Sequence, residues 1–417
     1  MRSGWPRPQM RLSDNSFRAG FSLLRDPNVG KMFVAYLVSY TGTAMAPIAM
    51  VFGVLELTGS TADASIVIAA PTLASIGVLL LGGVLADRTS RQRIIYSSEL
   101  LAMVAQLFLA FLFLSNFATV PWLTFFMLIN GIAIAFYAPA ATGLIIQLVD
   151  KEDLQATNAL LGMARNGAMA GGAALGGILV AVFGVGTTLI VDAISFGVSA
   201  ALVFSLNPKL QVRPEVASMF EDLRLGWKEF TSHTWLWVIV IQFSLIVAVT
   251  ESVFGLIGPA VTREQMSGAL DWGLIASGFG VGTLIGGITA IKVRPRYPMR
   301  FATVCVFFFS GVSITLAIPS PVYIVVAAAV ISGVAGQLFA VIWYTTLQTR
   351  IPAHVLSRVS AYDHLGSIAL APLGIVAAGF LFEALGFRAT LMIAAATVIL
   401  PTVITLCVRD VRMMTNA

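Results

Sequence analysis

Gly82-Gly83-Val84-Leu85-Ala86-Asp87-Arg88-Thr89-Ser90-Arg91-Gln92-Arg93 joins an apolar run at 65–86 to another at 94–115. Each run matches the roughly 20 residues that one helical membrane crossing needs. The acid and three arginines fill the turn between them, so the segment reads as a tight membrane hairpin with a basic loop. Composition extends that reading to the whole chain. Of 417 residues, 58% are hydrophobic and 11% charged, and mean hydropathy is +0.90. A water-soluble domain of this length needs more polar surface to cover its core. Helix is the expected state, because strand-length alternation is absent and a bilayer requires internally satisfied backbone.

Working outward from the hairpin, twelve apolar segments emerge: 32–55, 65–86, 94–115, 121–147, 158–182, 185–206, 235–259, 272–291, 301–318, 322–346, 361–383 and 389–408. The divisions near Gly184 and near Pro319–Pro321 rest on short turns. Lys and Arg placement sets orientation. With both termini inside, 22 of the 25 fall in cytoplasmic ends and loops, leaving Arg263 and Arg388 outside and Arg165 within a span. The expected location is a bacterial cytoplasmic (inner) membrane, multi-pass, with both termini cytoplasmic. The basic balance therefore reports topology and argues against nucleic-acid binding. The polar, Arg-rich first 30 residues lack the core of a cleavable signal peptide.

The expected fold is all-α and polytopic, with twelve transmembrane helices in two six-helix halves related by a pseudo-two-fold axis normal to the membrane. Segments 32–206 and 235–408 form the two bundles. They are flanked by a cytoplasmic segment 1–31 and a tail 409–417, and joined by a cytoplasmic linker 207–234. In that linker Met219, Phe220, Leu223, Trp227 and Phe230 recur at helical spacing, which fits an interfacial or a solvated amphipathic helix. An internal repeat at an offset of 202 supports two parallel halves: Leu154, Ala159, Gly172, Gly177 and Gly184 match Leu356, Ala361, Gly374, Gly379 and Gly386.

The loop after span 2 resembles motif A of the major facilitator superfamily, with Gly83, Asp87, Arg88 and Arg91 in place and Ser90 where that family usually has glycine. The resemblance implies that Asp87 faces the positive N-terminal end of span 11 and that the arginines pair with nearby acids, locking an inner gate. The corresponding loop of the second half has Ile291 in the acid's place, so the lock is one-sided. Span 5 (167–177) is similar to the exporter-associated motif C, with Ala173 replacing its proline. Its Gly172, Gly176 and Gly177 are expected to meet Gly278, Gly282 and Gly286 of span 8 across the two halves. Short stretches at 57–60, 82–88 and 344–349 also resemble the enterobactin exporter and related multidrug and secretion carriers.

In that superfamily spans 1, 4, 7 and 10 line a central cavity. Here they carry polar stripes: Tyr36, Tyr40 and Thr43; Asn130 and Tyr137; Ser244 and Glu251; Gln337, Tyr344 and Gln348. With Trp343 alongside, the expected cavity is aromatic and sparsely charged, suited to a small amphipathic substrate. Charges inside a membrane are costly and usually functional. Glu251, Asp192, Arg165 and Asp363 are therefore the proton-coupling candidates, Glu251 foremost, while Glu99 and Asp363 read as gate ion pairs. No nucleotide-binding loop is present, no metal or other cofactor is expected, and Cys305 and Cys407 form no framework. The function expected is secondary export of a siderophore, drug or secondary metabolite by proton antiport, from a monomer in contact with membrane lipid. Alternatives are a facilitator or importer, a lysolipid flippase and, from another class, a membrane-embedded enzyme or receptor. For the enzyme, His233, His354 and His364 show no metal spacing and no nucleophile–base pair is evident.

Overall fold

The computed structural model describes residues 23–88, 90–150, 153–208 and 219–415. Among them, ten helices are long and apolar enough to cross a membrane. Two of these, Ala156–Phe204 and Arg358–Cys407, run to 49 and 50 residues, over twice what one crossing takes. Each is broken at a single glycine. Gly184 has φ 79° and ψ 175°, and Gly386 has φ 78° and ψ 167°. Only glycine adopts that region without strain, so each ends one span and begins the next. The result is twelve transmembrane helices in two halves of six.

The first half holds spans 1 (Pro27–Thr58), 2 (Thr61–Arg88), 3 (Arg91–Leu114) and 4 (Val120–Leu148), then 5 and 6 within Leu154–Phe204. The second holds spans 7 (from Thr234), 8 (Ala269–Ala290), 9 (Pro298–Ala317) and 10 (Val322–Arg350), then 11 and 12, ending at Cys407. The linker helix Met219–Ser232 docks on the second half, where Trp227 and Phe230 pack on Tyr362 at the entry of span 11. Span ends are closed by side chains. Asp26 accepts from the Asn28 and Val29 amides at 2.8 and 3.1 Å. Gln92 and Lys31 donate to the last carbonyls of span 6. Span 7 contains one π turn, Val253–Ile257, closed by the Gly258 amide on the Val253 carbonyl. Pro259 follows it and lacks the N–H that an α-helical register requires there.

The two repeats make equivalent contacts. Gly172 abuts Thr41 and Ala44 of span 1, and its counterpart Gly374 abuts Ala248 of span 7. One and a half turns on, Gly177 meets Ala269 and Gly273 of span 8, while Gly379 meets Thr61 and Ser65 of span 2. The first pair ties each half together and the second joins the halves.

Spans 5 and 8 thus pack closely, though through other residues than the glycine pattern predicts. Ala170, Ala173 and Gly177 face Gly273, Ser277 and Gly280, and the Ser277 hydroxyl donates to the Ala170 carbonyl at 2.8 Å. Gly176 instead lies on Met45 of span 1, as Gly172 lies on Thr41. Gly278, Gly282 and Gly286 receive Val326, Val330 and Val334 of span 10, inside the second half. The physical reason is that each small-residue helix has two close neighbours, and the more glycine-rich face goes to the one within its own half.

The hydrophobic core is divided unequally. On the face opposite the termini, one cluster runs through both halves, from Met50 and Leu55 through Leu256 and Trp272 to Ile375 and Phe382. On the face that carries the termini no cluster of described residues crosses between the halves: one holds Met32, Ile95 and Leu144 in the first, and the second has one with Leu236, Met299 and Leu347 beside a smaller one with Cys305 and Leu338. The halves are joined at the far face and packed separately at the terminal face.

Candidate functional site

Arg165 locates the space between the halves. It lies eleven residues into span 5, is solvent-exposed, and stands within electrostatic reach of Tyr40 of span 1 and Tyr344 of span 10. A cation at mid-membrane depth, with exposed surface and within electrostatic reach of the second half, marks the space between the halves as the candidate cavity. Gly162, one turn earlier on the same face, has nothing within 4 Å in front of it. Tyr40 stands on the span 1 side, with the buried Tyr36 packed behind it at 5.3 Å between ring centroids, and Tyr137 of span 4 is within electrostatic reach of both. Tyr344 (57% exposed) and Gln348 form the opposite wall.

Glu251 also keeps exposed surface, in the last turn before the π segment. Gly255, four residues on, faces Ile68 of span 2, so this side of span 7 looks toward the first half. Phe254 turns the other way and packs on Trp272 and Phe279 of span 8. The described side chains therefore leave the cavity with one cation, one exposed carboxylate and a tyrosine-rich wall.

Several residues of the predicted stripes are core rather than lining. Trp343 is 5% exposed, its indole N–H donates to Asp363 Oδ2 at 3.1 Å, and its ring packs on Trp235 and Phe339. Asn130 and Ser244 are buried, Thr43 is half-buried, and Gln337 lies against Gly286 and Gly287 of span 8. Period alone could not separate these, since one polar stripe serves equally as helix-to-helix contact. Asp363 is likewise interior, with no ion pair among the described residues. So is Glu99: at 2% exposure it accepts from Ser199 at 2.8 Å and Ser39 at 3.2 Å. Asp192 is fully buried, accepting from the Gln106 amide at 2.6 Å.

Of the motif A residues, Arg91 donates to the Gly143 carbonyl of span 4 at 2.7 Å, and Gly143 has no Cβ to obstruct it. The side chains of Gly83, Asp87 and Arg88 lie outside the described residues.

On the far face, Glu383 near the end of span 11 accepts from the Ser60 hydroxyl at 2.6 Å and the Ala62 amide at 3.0 Å. One turn earlier, the Thr61 hydroxyl donates to the Gly379 carbonyl at 3.0 Å. A carboxylate from one half thus caps the helix that opens span 2 of the other, where free N–H groups favour negative charge. No local sequence pattern marks Glu383, because its partner lies more than 300 residues away.

A family described as transmembrane secretion effector matches residues 18–416. The chain belongs to that family, within the major facilitator superfamily. Among curated relatives, the multidrug efflux pump Tap of Mycobacterium tuberculosis is 28% identical over 402 residues, spanning 90% of this chain and 93% of that one. Tap of Mycolicibacterium fortuitum is 26% identical, at 88% and 92% coverage. Solved structures with the same fold include the nucleoside transporter NupG, with a TM-score of 0.73 at 12% identity over 91% of this chain and 98% of that one. A bacterial homologue of ferroportin in an inward-facing state has a TM-score of 0.70 at 16% identity, at 92% and 98% coverage. This secretion-effector chain is thus a multi-pass transporter of the efflux type, with the superfamily's two-bundle fold.

Proposed function

We propose that this transporter exports small amphipathic molecules, cations among them, from the cytoplasm in exchange for protons. The observation that carries the reading is the unequal core: one cluster seals both halves at the far face, while the terminal face has a separate core in each half. With the termini cytoplasmic, as the Lys and Arg distribution indicates, this conformation is inward-facing and admits substrate from the cell interior. The tyrosine wall supplies apolar area with polar tips, Glu251 attracts cationic centres, and Arg165 stands near Tyr40. Asp87, Arg88 and Arg91 would close the terminal face in the opposite conformation, as motif A implies. The similarity to multidrug pumps supports efflux of several chemically related compounds, and the exposed Glu251 supports competition between cation and proton.

The test is accumulation of tetraphenylphosphonium in inverted membrane vesicles with an acidic interior. The proposal expects uphill uptake that collapses when a protonophore is added. Uptake that only equilibrates would instead support a facilitator. A second reading, lysolipid flipping, has one observation in its favour. An apolar crevice of about 310 Å³ between spans 7, 11 and 12 is lined by Leu245, Leu373, Leu381 and Ile393. A fluorescent lysolipid crossing proteoliposome leaflets at the same protein density would establish that activity.

A further inference from the structure

We infer that the first half contains a reversible proton-binding site formed by Glu99 and Asp192, behind the cavity wall and separate from the substrate-facing Glu251. The inference rests on the proton-coupled export proposed above and names where a transported proton resides.

The two carboxylates are 2% and 0% exposed. Their partners are all neutral: Ser199 and Ser39 for Glu99, Gln106 and Ser195 for Asp192. Neither makes an ion pair among the described residues. The other titratable groups facing Glu99 are Tyr36 and Tyr40 of span 1 and Tyr137 of span 4, and the cation Arg165 acts on those two span 1 tyrosines. Two buried, unpaired negative charges in one membrane bundle cost several kcal/mol each even after relaxation. A proton on each carboxyl removes that cost.

A separate observation points the same way. Gln106 Oε1 is buried and accepts no hydrogen bond, although its amide nitrogen is 2.6 Å from Asp192 Oδ2. A buried acceptor without a donor is expensive. A carboxylic O–H on Asp192 Oδ2 supplies that donor once the amide turns over. The protonated acid thus gives Gln106 Oε1 a partner that the carboxylate cannot.

The partners also suit a site that must load and unload. A serine hydroxyl donates to a carboxylate and accepts from a carboxylic acid, so Ser39 and Ser199 accommodate both states of Glu99 by rotating. An arginine would have fixed the charged form. Span 1 makes room for the site: a Cβ at Gly42 would overlap the Ser195 hydroxyl and the Asp192 carboxyl. Glu99 and Gln106 stand seven residues apart on span 3, so the two carboxyls are displaced by roughly 10 Å along the membrane normal at 1.5 Å per residue. Glu99 is the one nearer the terminal face.

The site is connected to the cavity through one turn of span 1. Ser39 precedes Tyr40, which keeps exposed surface toward the cavity, and follows the buried Tyr36 by three residues. A substrate that moves these tyrosines moves Ser39, and with it the hydrogen bond that favours one form of Glu99. On release, the proton leaves the carboxyl oxygen for cavity water and the carboxylate remains behind, with the serine hydroxyls turned to donate to it.

The test uses the full-length protein in nanodiscs, read by infrared spectroscopy in the carboxylic-acid C=O region at neutral pH. Wild type should show protonated-carboxyl bands that are lost in part in Glu99→Gln and in Asp192→Asn and disappear together in the double variant. Ser199→Ala keeps Glu99 and should shift its band, so the assignment survives should a carboxyl variant fail to fold. Adding tetraphenylphosphonium should release protons from wild type, detected with a pH dye, and at least half of that release should be absent in Glu99→Gln. Carboxylic bands unchanged in both single variants and in Ser199→Ala would overturn the site. The bands require no transport, so a wild type that shows them without pumping any substrate would sink the export reading alone.

Discussion

The Ser60 hydroxyl and Glu383 Oε1 are 2.6 Å apart and join the start of span 2 to the end of span 11 on the far face. In this superfamily's motif A, an acid at the end of span 2 is implied to meet the start of span 11 on the terminal face. Glu383 makes the reverse contact on the other face, and the two cannot be fully engaged in one conformation if the halves rock. Glu383 is exposed, so its bond is worth little in isolation. Glu383→Gln should shift the conformational equilibrium toward a far-face-open state by about two- to fivefold. Thiol labelling at Ser65→Cys, which is sealed against Gly379 here, should accelerate by that factor. An unchanged labelling rate would show that the contact does not gate.

Glycines at the two kinds of close contact should respond differently. Gly177→Leu drives a side chain into Ala269 and Gly273 of the other half, so it should cut transport about tenfold or more while the melting temperature changes little. Gly282→Leu drives a side chain into Val330 inside the second half. Overpacking within a bundle costs about 1–3 kcal/mol, so that variant should melt several degrees lower. Thermal melts in detergent alongside vesicle transport separate the two. A reversed pattern would mean that the seam between the halves has been misplaced.

The glycines at the span junctions set a stability test. Gly184→Ala and Gly386→Ala each place a Cβ in a backbone region that costs about 1–3 kcal/mol. Nothing packs against either position, so loss of stability should arise from backbone strain alone, and alanine and serine should cost the same. Fluorescence-detected melting of the four variants checks this.

The span count, the two halves and both glycine junctions were legible in the sequence, because membrane length and positive charge placement are one-dimensional signals. Spans 5 and 8 were also paired from it. The faces were not: the fourfold spacing of Gly278, Gly282 and Gly286 marks a close neighbour without saying which, and span 10 takes that face. Trp343 shows the same limit, since its stripe position fits a cavity wall and its side chain faces Asp363 in the core. The Glu99–Ser199 and Ser60–Glu383 pairs were illegible because each unites residues 100 or more apart, and no local pattern encodes such a pairing. Asp192 was legible as a costly charge, while the amide that holds it was not.

Glu251 should behave as the substrate-facing acid. Glu251→Gln removes the charge and keeps the shape, so it should preserve binding of neutral compounds, weaken that of cations, and abolish uphill efflux while downhill exchange survives. Equilibrium binding and proton-driven uptake, measured for tetraphenylphosphonium and for a neutral dye, would reveal the split. Wild-type uphill rates in the variant would remove Glu251 from the coupling mechanism.

Export by this transporter requires alternating access between two halves joined at the far face. Spin labels at Glu56 and Ala384 report the far face, and labels at Asp153 and Lys292 report the terminal face. Distances measured by electron double resonance in nanodiscs, with pH and tetraphenylphosphonium varied, should move in opposition: as the far-face distance lengthens, the terminal-face distance shortens. Two distances that stay fixed, or that lengthen together, would contradict the account.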